Sequence, residues 1–194
     1  MGFLSRGRRG QESDQPPTAP EPGATRLSVV EFWGASERTL AGMDLSQGRL
    51  TDLINRQDIL PVVLLDERPD DLSQPIEMRV DQQWTQFLIW DALLIVPPPQ
   101  ATDPLRRLHR PRQPVEVVIG PFVVSGMVHV PPGAQAAGFL LRQNLRFAPV
   151  TRANVRDSGR DGFEQRAEVV LINMRRVATM RDLGLDESEA MASS

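Results

Sequence analysis

The chain has 194 residues, a formal net charge of −3 and 40% hydrophobic residues, enough for one ordinary domain or two small ones. It contains no cysteine and no tyrosine, and all 22 basic residues are arginine. These absences exclude disulfides, thiolate nucleophiles, iron–sulfur ligation, thiolate zinc sites, Schiff-base chemistry and a Walker-type phosphate loop. His109 and His129 are the only imidazoles, so no cofactor or metal site is expected.

From Met1 to Thr25 the residues are mostly Pro, Gly, Gln, Ser and charged groups, which predicts a disordered leader. The polar stretch from Gln11 to Pro17 cannot serve as the apolar core of a signal peptide, and no apolar run reaches the roughly 20 residues of a membrane span. A cytoplasmic location is the expectation.

Leu27–Trp33 and Arg38–Leu45 read as strands joined by the Gly34-Ala35-Ser36 turn. In the segment from Gly48 to Gln57, Leu50, Leu53 and Ile54 fall at helical spacing. Leu60–Leu65 is a continuous apolar run, expected to be a strand covered on both faces. Asp66–Gln83 is polar, contains Pro69 and Pro75 and reads as a loop. Trp84–Val96 supplies two short strands or one bent strand. A Pro- and Arg-rich linker follows over residues 98–114. Val115–Ile119 and Phe122–Val130 are then expected as strands and Ala134–Gln143 as a short helix. Phe147–Val155, Glu168–Asn173 and Arg176–Met180 are strands, and residues 182–194 form a flexible tail.

This order repeats. Gly42-Met43 matches Gly126-Met127, Arg56-Gln57 matches Arg142-Gln143, and Pro61-Val62 matches Pro149-Val150. Further on, Leu88-Ile89 aligns with Leu171-Ile172, Trp90 with Asn173 and Leu94 with Val177. The expected fold is mainly β (α+β): two homologous barrel-like or sheet units, residues 26–97 and 115–181, each with about five strands and one short helix. A unit of this size buries only about 60% of its unfolded surface and is marginal alone, so each copy has reason to pack against the other.

Charge divides the copies. Residues 27–99 hold five arginines against twelve acids, a net −7, and residues 115–181 hold nine against five, a net +4. Such opposition favours docking of unlike repeats, within one chain or between two.

The aromatics Trp33, Trp84, Trp90 and Phe87 all lie in the first repeat and are candidate protein-contact residues, because Trp anchors interfaces as readily as cores. Arg106, Arg107, Arg110 and Arg112 form the densest basic cluster and are candidates for nucleic-acid contact. No aromatic stands among them for base stacking. Asp66, Glu67, Asp70 and Asp71 do not have the spacing of a calcium loop. No catalytic residue can be named.

Ser125 to Gly133, Arg146 to Thr151 and Val170 to Asn173 with Val177 resemble a family of small uncharacterised bacterial domains. The first repeat looks like a diverged copy that lacks the Pro-Pro before its glycine, Gly48. The resemblance implies a domain boundary and no activity. A non-catalytic scaffold or regulatory module that binds protein or itself is therefore expected. The alternatives are nucleic-acid binding through the linker and second repeat, and a small-molecule-binding domain or enzyme.

Overall fold

The computed structural model describes residues 24–46, 48–79, 83–99, 111–160 and 162–183. In the N-terminal half these form β1 (Ala24–Trp33), β2 (Arg38–Met43), α1 (Leu50–Arg56), β3 (Ile59–Leu65), β4 (Ile76–Arg79), β5 (Thr85–Leu88), a 3-10 turn at Ile89–Asp91, and β6 (Leu94–Val96). The C-terminal half holds β7 (Arg112–Ile119), β8 (Phe122–His129), α2 (Ala136–Arg142), β9 (Phe147–Asp157), β10 (Glu164–Asn173) and β11 (Val177–Asp182). All eleven strands belong to one antiparallel sheet in the order β11-β7-β8-β9-β10-β6-β1-β2-β3-β5, with β4 pairing off this path to the start of β1. The sheet is not closed, which corrects the barrel-like alternative: its ends, β5 and β11, each pair with a single neighbour among the described residues.

With β4 set aside, both halves have their strands in the spatial order fifth, first, second, third, fourth, and both insert the helix between second and third. The fifth strand of the first half (β6) pairs with the fourth strand of the second (β10), through Leu94↔Ile172 and Ile95↔Leu171. Leu94 and Val177 stand at matching places, opposite Trp33 and Ile119 on the respective first strands. The sequence alignment at Leu88-Ile89 is displaced: with Pro61 set on Pro149, Leu60 pairs Phe87 and Ala148 pairs Ile172. Phe87 rather than Ile89 therefore stands where Ile172 stands. The two extra residues are taken up by the 3-10 turn before Leu94.

Tertiary pairing overrides local polarity in two further places. Ile76–Arg79, inside the expected loop, becomes β4 because Ala24–Leu27 offers it a strand edge. The strand β7 begins at Arg112, so residues expected in the linker enter the sheet, and Pro114 sits opposite Met127 and accepts the Leu183 N–H. Leader residues 1–23, linker residues 100–110 and tail residues 184–194 lie outside the described residues.

Two strand glycines stand at matching places. Gly42 lies opposite Val29, and a Cβ there would stand 2.9 Å from Leu27 Cδ1. Gly126 lies opposite Val115, where a Cβ would meet Val150 Cγ1 at 2.5 Å and the Thr151 carbonyl oxygen at 2.9 Å. At Gly126 the backbone of the adjacent strand β9 therefore leaves no room for a side chain, whereas at Gly42 the nearest atom is the end of the flexible Leu27 side chain.

The core has two parts that exchange members. The first part is built on Val115, Val117, Val124, Val150 and Val155 of the second half, yet it includes Trp33, Leu93 and Leu94 of the first. The other part is built on Phe32, Leu50, Ile54, Leu60 and Val62, and takes in Phe147 and Leu171 of the second half. Burial of each such large side chain stabilises by about 1.5–3 kcal/mol. The halves thus complete one another.

Candidate functional site

Three features outside the plain core can be built from named residues: the seam between halves, a cleft beside it, and the free end of the sheet at β5.

The seam is polar as well as apolar. Along β9 the pairing with β8 ends at Met127↔Thr151, so Phe147 has no strand neighbour on that side. Asn55 of α1 takes the place of that neighbour. Its Nδ2 donates to the Phe147 carbonyl at 3.1 Å and to the Thr51 carbonyl at 2.8 Å, while its Oδ1 accepts from the Arg146 and Phe147 N–H groups at 2.8 and 2.9 Å. Arg146 donates through Nη1 to the Gln57 carbonyl at 2.7 Å and pairs with the Asp58 carboxylate. Its guanidinium also lies 4.6 Å from the Trp90 ring centroid, with that of Arg175 at 5.0 Å, so the Trp90 face is occupied by cations of the other half. Asn173 Nδ2 closes the seam by donating to the Ala92 carbonyl at 2.9 Å.

The cleft, of about 450 Å³, is lined by Glu31, Arg68, Leu50, Pro97 to Pro99 and residues of β10. Glu31 is buried, with Oε2 accepting the Trp33 indole N–H at 3.1 Å and Oε1 2.9 Å from Arg68 Nη2, outside hydrogen-bond alignment. Arg38 caps the same region, its guanidinium 3.6 Å from the Trp33 ring and 4.3 Å from that of Phe163. Burial holds that guanidinium below its ordinary pKa, against the opposing charge of Glu31. The single buried carboxylate among the described residues is thus engaged in structure. Among the described residues no group of three or more His, Asp or Glu is placed to hold a metal ion.

The free end of the sheet is different in kind. Ile59 and Leu88 are paired across β3 and β5, both on the outer face, and are 44% and 52% exposed. Trp84 is 43% exposed and Leu64 51%. They flank an open groove of about 810 Å³ that also takes in Asp66, Glu67 and Gln83. Four of the five exposed large hydrophobic residues among the described residues thus sit at one sheet end, and the fifth, Leu141, is on α2 at 65% exposure. Soluble proteins rarely gather exposed apolar groups at an unpaired strand edge without a use for them.

The structure separates the four aromatics grouped by sequence. Trp33 is fully buried against Phe122 and Phe163 and presents no surface. Trp90 is half-buried in the seam, and Phe87 is half-buried against Phe32 with ring centroids 4.4 Å apart. Trp84 stands exposed at the edge. Arg112 is exposed at the start of β7, while Arg106, Arg107 and Arg110 lie outside the described residues. Asp71 belongs to a tight turn, accepting from the Ser73 N–H at 2.8 Å and hydroxyl at 2.6 Å, which lowers its carboxyl pKa. His129, half-buried at the end of β8, alternates with the buried Val128 and Val130. Sequence reasoning missed Ile59, Leu64 and Leu88 because an apolar run reads as core, and nothing local says that a strand will end the sheet. It also missed Asn55, whose importance depends on a partner 92 residues away.

Among the described residues no helix is long and apolar enough to cross a membrane. Comparison of the chain with protein-family models, with curated proteins and with solved structures finds no match.

Proposed function

We propose that the chain is a non-catalytic protein-interaction module made of two homologous copies of one β-rich unit, and that the exposed β3–β5 end is its docking edge. The duplication is supported by the repeated strand order, the matched close-approach glycines Gly42 and Gly126, and the equivalent places of Leu94 and Val177. The resemblance of the second half to a small bacterial domain family belongs with this reading.

The observation that carries the docking reading is the gathering of Ile59, Leu64, Trp84 and Leu88, all more than two-fifths exposed, along a strand edge with open backbone groups. Such an edge recruits a partner strand by main-chain hydrogen bonds, and the apolar side chains beside it supply the affinity. Asp66 and Glu67 at the groove favour a partner with basic groups near the contact. The test is quantitative capture of binding proteins from extracts of the source organism by the wild-type chain and by Leu88→Glu. Partners retained by the first and lost with the second support the reading. Identical sets retained by both would remove β5 from it.

A further inference from the structure

We infer that the occupant of the β5 edge is β11 of a second copy of this chain, in a head-to-tail contact that repeats the internal seam; the inference rests on the docking reading above. The internal seam joins a fourth strand, β10, to a fifth strand, β6. With β4 again set aside, the two strands left without a second neighbour among the described residues are the remaining fourth strand, β5, and the remaining fifth strand, β11. One copy therefore ends in the two halves of the joint that it already contains in its middle.

Burial at equivalent positions carries this furthest. Phe147 and Asn173, opposite one another on β9 and β10, are covered by the first half and are 0% and 2% exposed. Ile59 and Leu88, opposite one another at the same places on β3 and β5, are 44% and 52% exposed. On the other side of the joint, Asn55 precedes Arg56-Gln57 on α1 and grips Phe147, whereas Leu141 precedes Arg142-Gln143 on α2 and is 65% exposed. Both uncovered surfaces are apolar where a neighbour is due. Superposing the internal joint on the free ends sets Gln86 and Phe87 of one copy beside Thr179 and Val177 of the next, and brings Leu141 toward Ile59 and Leu88.

Charge agrees with this polarity. The end presented by β5 belongs to the half carrying −7, and the end presented by β11 to the half carrying +4. Exposed Arg142 and Arg176 stand beside α2 and β11, while Asp66 and Glu67 stand near β5. Contacts of β5 with β5 or β11 with β11 would set like charge against like. A head-to-tail contact of this kind builds a ring if its rotation closes and a filament if it does not.

The experiment uses the full chain in sedimentation velocity and light scattering from about 1 to 100 µM, at low and high salt. Wild type is expected above the chain mass of 21.6 kDa, with assembly weakened as salt rises. Leu88→Glu, which spoils only the β5 end, and Leu141→Glu, which spoils only the α2–β11 end, are each expected to be monomeric and to keep the wild-type circular dichroism spectrum. Their equimolar mixture contains one intact pair of ends, so it should give a dimer and stop there, associating at least tenfold more tightly than either variant alone. Failure of the mixture to dimerise, or assembly unaffected by either substitution, would overturn the head-to-tail contact. A wild-type monomer throughout the range would overturn self-association but leave the docking reading standing, provided that Leu88→Glu still abolishes capture of another protein. Loss of neither self-association nor partner capture would sink both.

Discussion

Replacing Asn55 by leucine would isolate the polar part of the seam, because leucine keeps the branched shape and removes both the donor and the acceptor. The Phe147 N–H and C=O would then be left without partners, since β8 stops short of them and the residue is fully buried. Each buried backbone group deprived of its partner costs about 1–3 kcal/mol, which puts the substitution at about 2–6 kcal/mol. The half-buried Arg146 N–H is left out of that figure because water can reach it. Urea unfolding followed by both tryptophan fluorescence and far-ultraviolet circular dichroism is the assay. All three tryptophans, Trp33, Trp84 and Trp90, lie in the first half, whereas circular dichroism reports both halves. Interlocked cores require the two signals to move together, in the wild type and in the variant, with the midpoint lowered and the slope kept. A loss below about 1 kcal/mol, or separate transitions for the two signals, would refute the claim that Asn55 stands in for a strand and that the halves share one interior.

Gly126→Ala should lower stability by about 1–3 kcal/mol through overpacking against Val150 and the Thr151 carbonyl; Gly48→Ala, where a Cβ meets nothing, should be close to neutral by the same urea midpoint. Residues 24–99 and 111–183 expressed as separate chains should each lack a cooperative transition, since each interior needs side chains from the other half; a sigmoidal melt from either alone would contradict that. Ser73→Ala should raise the Asp71 carboxyl midpoint toward its ordinary value in an NMR titration, and no movement would deny the hydroxyl hydrogen bond its role. Because that pKa is depressed in the fold, the associated stability is present above the unfolded carboxyl pKa and is lost as the pH falls through the folded one; at an exposed turn the effect is small.

Sequence alone determined the elements. Alternating apolar residues, Pro and Gly punctuation and one-sided helical stripes located eight of the eleven strands and both short helices to within a few residues, and left one strand or two open over Trp84–Val96, where β5 and β6 lie, because these signals are local. The recurrence of Gly-Met, Arg-Gln and Pro-Val accompanies a strand order that both halves share once β4 is set aside. Tertiary structure decided the rest. Ile76–Arg79 is a strand only because the start of β1 lies beside it, and Trp33 is core only because β6 and β10 bring the second half over it. Leu88 and Asn173 stand at matching places on the two fourth strands, yet one is 52% exposed and the other 2%, because one strand ends the sheet and the other meets a neighbour. Which edge is covered depends on contacts between residues far apart in the chain, and local sequence carries no record of them.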